Sequence, residues 1–505
     1  MTGFNIALFP VMFFFSGLYY TDIISTFVVL GAYINQLRRL GRSHTESFTE
    51  SALVVLLGVL ALCMRQTNIF WVVVFMGGIE VVHCLNSLRP QPVEMPHFST
   101  LTEQVEFYAW RYSLGEIHDP PLNQANPIDL VLCAISIPIA AVCNLRSILL
   151  RSGGLPHLLV LFIFVGFVIV NGGVVLGDKS NHVATLHLAQ LLYIWPLFVF
   201  FSAPLFIPQT LNVATSAYRA AFNSATSRSA GQPLKTKFHP ANQQAPKQPP
   251  ALKTINRLGS NTALQTCVVT AGALAAAVAI VRFNTVVHPF TLADNRHYMF
   301  YVFRYSILRA PWVRYALAPA YAVCGWLCWT ALRGYGGPRR ATSDTSPSSG
   351  SAVASSNPSP PAVGKEEEKS TAAPATSQGD AADAAGAPPP TSTVLVLLLA
   401  TALSLMTAPL VEPRYFILPW VFWRLHVPAW RPPFPSPSSL SQARGRPPAP
   451  EPPGPADVDP RLVLELLWFA LINAGTMYVF LAKPFYWRAA DGTLLDDGRV
   501  QRFMW

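Results

Sequence analysis

Long apolar runs separated by short polar segments constrain this chain more than any other feature. A helix needs about 20 apolar residues to cross a bilayer core, and runs approaching that length recur along the 505 residues. Only 12% of the residues are charged, about half of the roughly 25% usual in soluble proteins. Such a chain has too few charges to cover a water-facing surface. The sequence therefore predicts an all-α integral membrane protein, a multispanning helix bundle.

The candidate spans are defined by apolar residues with few charges, and backbone groups in lipid favour helices because each group must be satisfied within its own segment. A further stretch, 128–151, either spans or lies in the interface, because it carries Pro138, Asn144, Arg146 and Arg151. The candidate spans lie near 4–20, 23–37, 52–64, 69–85, 157–176, 188–207, 263–282, 312–333, 393–411, 415–427 and 461–482.

Three long polar stretches interrupt a single polytopic domain, 1–505. Residues 208–262 are basic and hold no Asp or Glu, which predicts a cytoplasmic loop by the positive-inside rule. Residues 338–392 are low in complexity and 428–460 are rich in proline. Both compositions are typical of disordered loops, and counting spans from the basic loop predicts that both are cytoplasmic.

The net charge of +10 and the seven cysteines exclude two other classes. The basic residues sit in particular loops instead of forming an aromatic-interleaved face, so no nucleic acid is expected as a partner. The cysteines are scattered through apolar runs and predict neither a disulfide framework nor a zinc site. No metal and no cofactor are expected.

Short polar segments of different composition lie between the apolar runs. They are rich in Asp, Glu, Arg, His, Tyr and Asn, and they lie at helix ends. Parity, that is, counting the predicted spans from the basic loop, places the segments 171–187, 292–298 and 411–419 on the face opposite that loop. The segments 18–22 and 65–68 join them if 128–151 does not span. The segments are 18–22, 65–68, 171–187, 292–298 and 411–419.

These segments mix acids with bases at the membrane boundary, where ionisable groups are costly unless they pair or function. Group transfer from a lipid-linked phosphate uses both sets: a carboxylate takes a proton from the acceptor hydroxyl, and Arg or Lys stabilises the departing phosphate. The acids are Asp22, Asp178, Asp294 and Glu412, and the bases are Arg65, Lys179, His182, Arg296, His297 and Arg414.

Structural interpretations stand beside the functional one. Asp178 fits a helix cap, Asp294 with Arg296 a surface ion pair, and Glu412 with Arg414 a boundary pair. Among the acids away from these segments, Glu80 and Glu465 lie near predicted helix ends, where they either snorkel or face the bundle.

Several of the polar segments, quoted with their neighbours, are specific enough to be recognised. FFFSGLYYTD, MRQTNIFWV, NGGVVLGDKSNHVATLH, LADNRHYMFYVFR, EPRYFILPWVFWRL, FLAKPFYW and QRFMW follow one another along the chain. In this order they resemble the dolichyl-phosphate-glucose α-1,2-glucosyltransferases of the endoplasmic reticulum. The low-complexity stretches fall between the motifs, as variable inserts would.

The resemblance implies a membrane glycosyltransferase of the GT-C class in the endoplasmic reticulum membrane, with a lumenal active face. The donor would be dolichyl-phosphate-glucose, the acceptor a diglucosylated oligosaccharide on dolichyl pyrophosphate, and the transfer inverting. On this basis Arg296, His297 and Arg414 are candidates for the donor phosphate. Asp22, Asp178, His182, Asp294 and Glu412 are candidates for sugar contacts or for orienting the base.

One departure from the family pattern affects the catalytic base. The family begins with a transmembrane helix and a first lumenal loop with an acidic motif, where the catalytic carboxylate is expected. Met1 of this chain corresponds to a later helix, so the expectation is that the base lies in a missing N-terminal loop and that no catalytic residue can be assigned.

Other functions remain open at the level of sequence. A dolichyl-phosphate-mannose-dependent mannosyltransferase would need the same groups. A secondary transporter would show inverted repeats and charges at mid-membrane, and no convincing repeat is present. An inactive or truncated membrane protein is the remaining alternative.

Overall fold

The structure is a computed structural model that describes residues 1–41, 48–88, 90–91, 93, 96–151, 154–175, 185–226, 262–334, 387–408, 410–430, 459–488 and 491–505. Helices dominate this part of the chain. The α-helices are Thr2–Ala7, Pro10–Ser16, Asp22–Leu40, Phe48–Met64, Gly77–Leu88, Leu101–Ser113, Pro127–Cys143, Leu145–Arg151, Gly154–Asn171, Gln190–Phe201, Ile207–Thr226, Thr262–Phe283, Pro289–Ala293, Tyr298–Val302, Pro311–Arg333, Thr391–Met406, Ile417–Leu425 and Pro460–Ala482.

Shorter helical turns and two strands complete the secondary structure. The strands Phe485–Tyr486 and Val500–Gln501 pair in an antiparallel hairpin. The turns are Gln66–Asn68, Phe70–Met76, Ala203–Phe206, Phe303–Ile307, Pro413–Phe416 and Asp496–Gly498.

Within the described residues, four helices are long and apolar enough to cross a membrane, or up to five if one bent pair counts as a span. The predicted multispanning helical membrane protein is thereby confirmed. Other apolar helices are shorter, over 48–64, 127–143, 155–171 and 391–406. The four long helices are Gln66–Leu88, Leu264–Phe283, Pro311–Arg333 and Pro460–Ala482.

The first apolar run, predicted as one span over 4–20, instead forms two short helices. Thr2–Ala7 and Pro10–Ser16 are separated by Phe9, whose backbone leaves the helical region (φ −50°, ψ 123°). Pro10 has no N–H to donate to the preceding turn, so the first helix cannot continue through it.

The ambiguous stretch 128–151 also divides, into the helices Pro127–Cys143 and Leu145–Arg151. Asn144 lies at the junction, and its side-chain amide donates to the carbonyl of Ser113 at 3.0 Å. A polar side chain that binds a neighbouring backbone in this way competes with the regular helix, which favours a break.

The predicted span 188–207 bends sharply. The helix Gln190–Phe201 and the following helical segment, Ala203–Ser216, meet at 86°. Pro204 lies in the first turn after the bend, where a missing N–H costs least. Residues 208–226, predicted as part of the basic loop, continue this helical segment, because no glycine or proline interrupts residues 209–226.

The remainder of the three predicted loops falls almost wholly outside the described residues, at 227–261, 335–386 and 431–458. Their predicted disorder therefore stays a prediction. All seven cysteines are free.

The helix Ile417–Leu425 lies at the centre of the bundle. Its Trp420 stacks on Phe9 with ring centroids 3.9 Å apart, and its Phe422 stacks on Trp71 at 4.9 Å. Residues on every side of this helix are buried, as expected for a helix that is apolar all round. The core therefore fixes the position of the polar residues that immediately precede it.

Charged residues are also sealed inside the bundle, at the end we call the opposite end, which contains Arg424, Glu465, Arg461 and Asp459. Nε and Nη2 of Arg424 each donate to the Glu465 carboxylate at 2.8 Å, and Asn5 donates to the same carboxylate at 2.8 Å. Glu465 is fully buried. Of the two alternatives from sequence, Glu465 therefore faces the bundle and does not snorkel.

Candidate functional site

The short polar segments gather, in their described parts, at the other end of the bundle, which we call the loop end and define by residues 17–22, 65–68, 185–187, 284–298, 407–408, 410–416, 484–488 and 491–505. The Arg65 guanidinium donates to the Asp22 carboxylate at 2.8 Å. Gln190, in the first turn of its helix, donates to the carbonyls of Ala408 and Leu410. The described parts of the predicted segments thus lie at one end of the bundle, while the side of the membrane that this end faces stays a prediction.

One cluster at the loop end joins two arginines through an aromatic residue. The Arg65 guanidinium lies 5.6 Å from the centroid of the Tyr415 ring, and the Arg414 guanidinium lies 5.4 Å from the same centroid. Arg414 also lies 5.0 Å from the centroid of Tyr20 and pairs with Glu412. Each cation is held over an aromatic face, an arrangement that is favourable when partly desolvated.

Electrostatics in this cluster follow burial and pairing. Burial raises the pKa of the Asp22 carboxyl, although Arg65 and Arg414 oppose the shift. Burial lowers the pKa of Arg414, but the hydrogen bond and charge of Glu412 outweigh it and the net shift is upward. Arg414 therefore stays charged at this site.

The segment 292–298 forms a second charged group. The Arg296 guanidinium donates to the Asp294 carboxylate through two nitrogens. Nε lies 2.9 Å from Oδ1 and 3.1 Å from Oδ2, and Nη2 lies 2.6 Å from Oδ2. The Arg296 backbone N–H also donates to Asp294, at 3.0 Å. Burial raises the pKa of Asp294, but the hydrogen bonds and the charge of Arg296 outweigh this effect, so the net shift of the pKa is downward and the carboxyl is charged.

The C-terminal residues hold this segment in place. Tyr298 N–H donates to the carbonyl of Met504 and Met504 N–H donates to the carbonyl of Arg296, both at 2.9 Å. His297 Nδ1 lies 3.0 Å from the Trp505 carbonyl. A carbonyl can only accept, so Nδ1 carries the proton, and Nε2, which lies 3.7 Å from Asp294, has the free lone pair in the neutral ring.

A cavity of about 420 Å³ opens between these segments. It mixes acidic, basic, aromatic and apolar groups, as small-molecule sites commonly do. Its lining residues are Phe290, Thr291, Ala293, Asp294, Arg296, His297, Met299, Leu410, Val411, Glu412, Pro413 and Trp487.

The sequence-predicted residues divide into three groups. Asp294, Arg296, His297 and Glu412 line the cavity. Asp22 and Arg414 lie beside it, in the cluster behind Glu412. Asp178 and His182 lie outside the described residues.

Sequence reasoning gave Trp487 no role, although the motif FLAKPFYW contains it. Trp487 lines the cavity together with the charged residues. The available signal was its position five residues after the end of the helix Pro460–Ala482. That signal is ambiguous, because a tryptophan just beyond a membrane helix can equally serve as an interfacial anchor.

In the described part of the chain, no group of three or more His, Cys, Asp or Glu side chains is placed to hold a metal ion. The carboxylates at the site are occupied by arginines. The arrangement suits the binding of anionic and hydroxyl-rich groups, because guanidinium forks recognise phosphate and carboxylates accept from hydroxyls.

Relatives with established names match the full length of the chain. A protein of Gibberella zeae is 44% identical over 100% of this chain and 75% of its own length, and one of Pyricularia oryzae is 46% identical over 100% and 72%. A protein of Mus musculus is 26% identical over 99% and 72%. All three are named Dol-P-Glc:Glc(2)Man(9)GlcNAc(2)-PP-Dol alpha-1,2-glucosyltransferase.

No solved structure matches the chain. The family pattern, in contrast, is matched over residues 1–425, which include every predicted site residue. Together with the full-length similarity to the fungal relatives, this match shows that the chain belongs to the DIE2/ALG10 family.

Proposed function

We propose that this protein transfers glucose from dolichyl-phosphate-glucose to the diglucosylated, dolichyl-pyrophosphate-linked oligosaccharide, in α-1,2 linkage. The observation that carries the proposal is the full-length similarity, at 38–46% identity, to fungal proteins named for this reaction. The cavity at the loop end supplies groups of the required chemistry, since it combines cations for a phosphate with carboxylates for sugar hydroxyls.

Arg296 and His297 bind the donor phosphate in this proposal. Asp294 engages Nε and Nη2 of Arg296, whereas no protein partner is found for Nη1 among the described residues. The Trp505 carbonyl occupies Nδ1 of His297, and Nε2 faces the cavity, where it donates to a phosphate oxygen when the ring carries both protons. Fixed donors of this kind stabilise the charge that develops on the departing phosphate.

Arg414 has a related role one layer further from the cavity. It pairs with Glu412, which lines the cavity, and it lies over the ring of Tyr20. Among the described residues, its Nη1 and Nη2 have no protein hydrogen bond, so they remain able to bind an oxygen of the donor. Arg414 thus positions Glu412 and adds positive charge next to the phosphate.

The acidic residues bind and orient instead of acting as the base. Asp22, Asp294 and Glu412 are each paired with an arginine, and the guanidinium occupies carboxylate lone pairs that a base would need for the proton of a sugar hydroxyl. Asp178 and His182 remain predicted sugar contacts. The transfer inverts the donor carbon, because a single direct displacement converts a β-linked phosphate into an α-linked product.

The active face is lumenal, in the endoplasmic reticulum membrane. The helix Gln190–Phe201 begins at the loop end, so the basic segment 208–262 follows from its other end. A basic segment of this kind favours the cytoplasmic side. The charged cavity then lies on the side away from the cytoplasm, where the acceptor oligosaccharide would be glucosylated.

The proposal is tested by supplying two donors to membranes that contain the protein. Radiolabelled dolichyl-phosphate-glucose should label the diglucosylated acceptor, and dolichyl-phosphate-mannose should not. In parallel, cells lacking the last glucosylation are complemented with this chain, with and without an upstream extension. Transfer of mannose, or failure of both forms to restore the third glucose, would overturn the proposal.

A further inference from the structure

Trp487 is the aromatic side chain of the C-terminal tail that lines the cavity. It shares the lining with Asp294, Arg296, His297 and Glu412, and its side chain is half-buried. The transmembrane helix that precedes it ends at Ala482. Trp487 therefore approaches the cavity from the tail and not from the membrane-spanning part of the bundle.

The tail holds Trp487 in a defined hairpin. The Leu495 N–H donates to the Trp487 carbonyl at 2.8 Å. On one side, the strand Phe485–Tyr486 pairs with Val500–Gln501, and on the other, Arg488 bridges to Leu494. Phe485 also stacks on Phe503 at 4.5 Å between centroids. Because the backbone is fixed on both sides of Trp487, the residue loses little conformational freedom when a ligand binds its ring.

The same hairpin is docked on the charged segment. Backbone hydrogen bonds of 2.9 Å join Met504 to Arg296 and to Tyr298, and Trp505 packs against Tyr298 with centroids 4.9 Å apart. The tail thus fixes the position of Trp487 and the position of Arg296 and His297 together. A ligand that bridges the tail and the charged segment meets preorganised groups on both.

The chemistry of this lining suits a hexose. A pyranose ring presents an apolar C–H face and a rim of hydroxyl groups, so it is complementary to an aromatic plane bordered by carboxylates and a guanidinium. Asp294 and Glu412 accept from hydroxyls, and Trp487 supplies the aromatic plane. A phosphate could use only the indole N–H and would leave the apolar ring face uncovered.

We propose that Trp487 is the platform on which the terminal glucose of the acceptor oligosaccharide stacks, an inference that rests on the proposed function. The donor glucose is bonded directly to its phosphate and so lies against Arg296 and His297, close to the helix ends. The acceptor glycan extends away from the membrane. Trp487 lies on the tail, beyond the end of its helix, which is the side from which the glycan enters.

The test measures KM for donor and acceptor separately in Trp487→Ala, Trp487→Leu and Trp487→Phe. Trp487→Ala and Trp487→Leu should raise the acceptor KM about tenfold, and Trp487→Phe should raise it less, because stacking needs the ring plane. The donor KM should not change in any variant. Trp487→Leu retains apolar volume, so it remains informative if Trp487→Ala misfolds.

Tyr486→Ala is the matched control. Tyr486 is the last residue of the strand Phe485–Tyr486 and directly precedes Trp487. It is 53% exposed and does not line the cavity, because successive side chains of an extended chain point to opposite faces. This variant should keep wild-type KM values. It removes an aromatic ring from the same hairpin and so corrects for general effects on the tail.

Each failure has a separate signature. If the unmodified protein transfers no glucose to a diglucosylated acceptor, the proposed function fails. If it does so and Trp487→Leu leaves the acceptor KM unchanged, the platform is refuted while the function stands. A rise in the donor KM alone would assign Trp487 to the donor glucose and overturn the acceptor assignment.

Discussion

The loop end and the opposite end of the bundle use the same residue pairs in different environments. Arg424 and Glu465 at the opposite end are 4% and 0% exposed, whereas Arg296 and Asp294 at the loop end are 42% and 24% exposed. In both pairs, two nitrogens of the guanidinium donate to the carboxylate. Burial therefore separates an ion pair that holds helices together from one that presents a charge to a cavity.

The largest expected effect is the loss of the sealed pair. Glu465→Ala leaves Arg424 charged, buried and without its carboxylate, and breaking a buried pair in this way costs about 3–5 kcal/mol. We expect much less folded protein and a lower melting temperature after detergent extraction. The double variant Arg424→Met with Glu465→Leu is the control, because an apolar pair of similar volume restores most of the stability. A wild-type melting temperature for Glu465→Ala would refute the structural role.

Arg296→Ala should lower activity and leave stability nearly unchanged, in contrast to Glu465→Ala. We expect activity to fall on the order of 100-fold, since a preorganised donor to the leaving phosphate is lost, while the melting temperature stays close to wild type. Glucosyl transfer and thermal unfolding are measured on the same preparation. Arg499→Ala is the matched control, because Arg499 is a tail arginine that is 74% exposed and should alter neither quantity. Strong destabilisation by Arg296→Ala would erase the distinction between the two ends.

Arg414→Ala should give an intermediate result. Arg414 is 21% exposed and Glu412 is 16% exposed, so removal of the guanidinium leaves a mostly buried acceptor unpaired, at about 1–3 kcal/mol. We expect reduced activity together with a modest loss of thermal stability. Glu412→Gln, which keeps a hydrogen-bonding partner for Arg414, should lose less stability. An effect on stability equal to that of Glu465→Ala would make Arg414 part of the structural core.

The smallest expected effect separates the two nitrogens of His297. His297→Asn can still donate to the Trp505 carbonyl but loses the group on the cavity side, so activity should fall about tenfold with little change in stability. His297→Gln keeps a polar group toward the cavity and should retain more activity. The opposite order of the two variants would show that docking of the tail, not phosphate binding, is the main role of His297.

The sequence alone predicted much of this organisation, for identifiable reasons. Apolar runs report membrane helices directly, because hydrocarbon tolerates few other residues. The contacts of Arg65 with Asp22 and with Tyr415 bring together segments whose common face parity had predicted. The helix breaks at Phe9 and Asn144 were missed, since hydropathy does not register the missing N–H of Pro10 or the hydrogen bond from Asn144 to the Ser113 carbonyl.

Three further features could not be read from the chain. Glu465 and Glu412 are both acids near the ends of apolar runs, yet one is sealed against Arg424 and the other lines a cavity. Trp487 and Tyr486 are adjacent aromatics, and only the hairpin determines which of them faces the cavity. The tautomer of His297 depends on a carbonyl more than 200 residues away.

The sequence by itself therefore determined the class of the protein, its membrane helices and the chemical types gathered in its short polar segments, because composition and periodicity set what lipid and water will accept. Only the tertiary structure decided which charged residues are buried, which line the cavity and which partner fixes each one. Those properties arise from the packing of segments that are distant in the chain, and no local pattern encodes them.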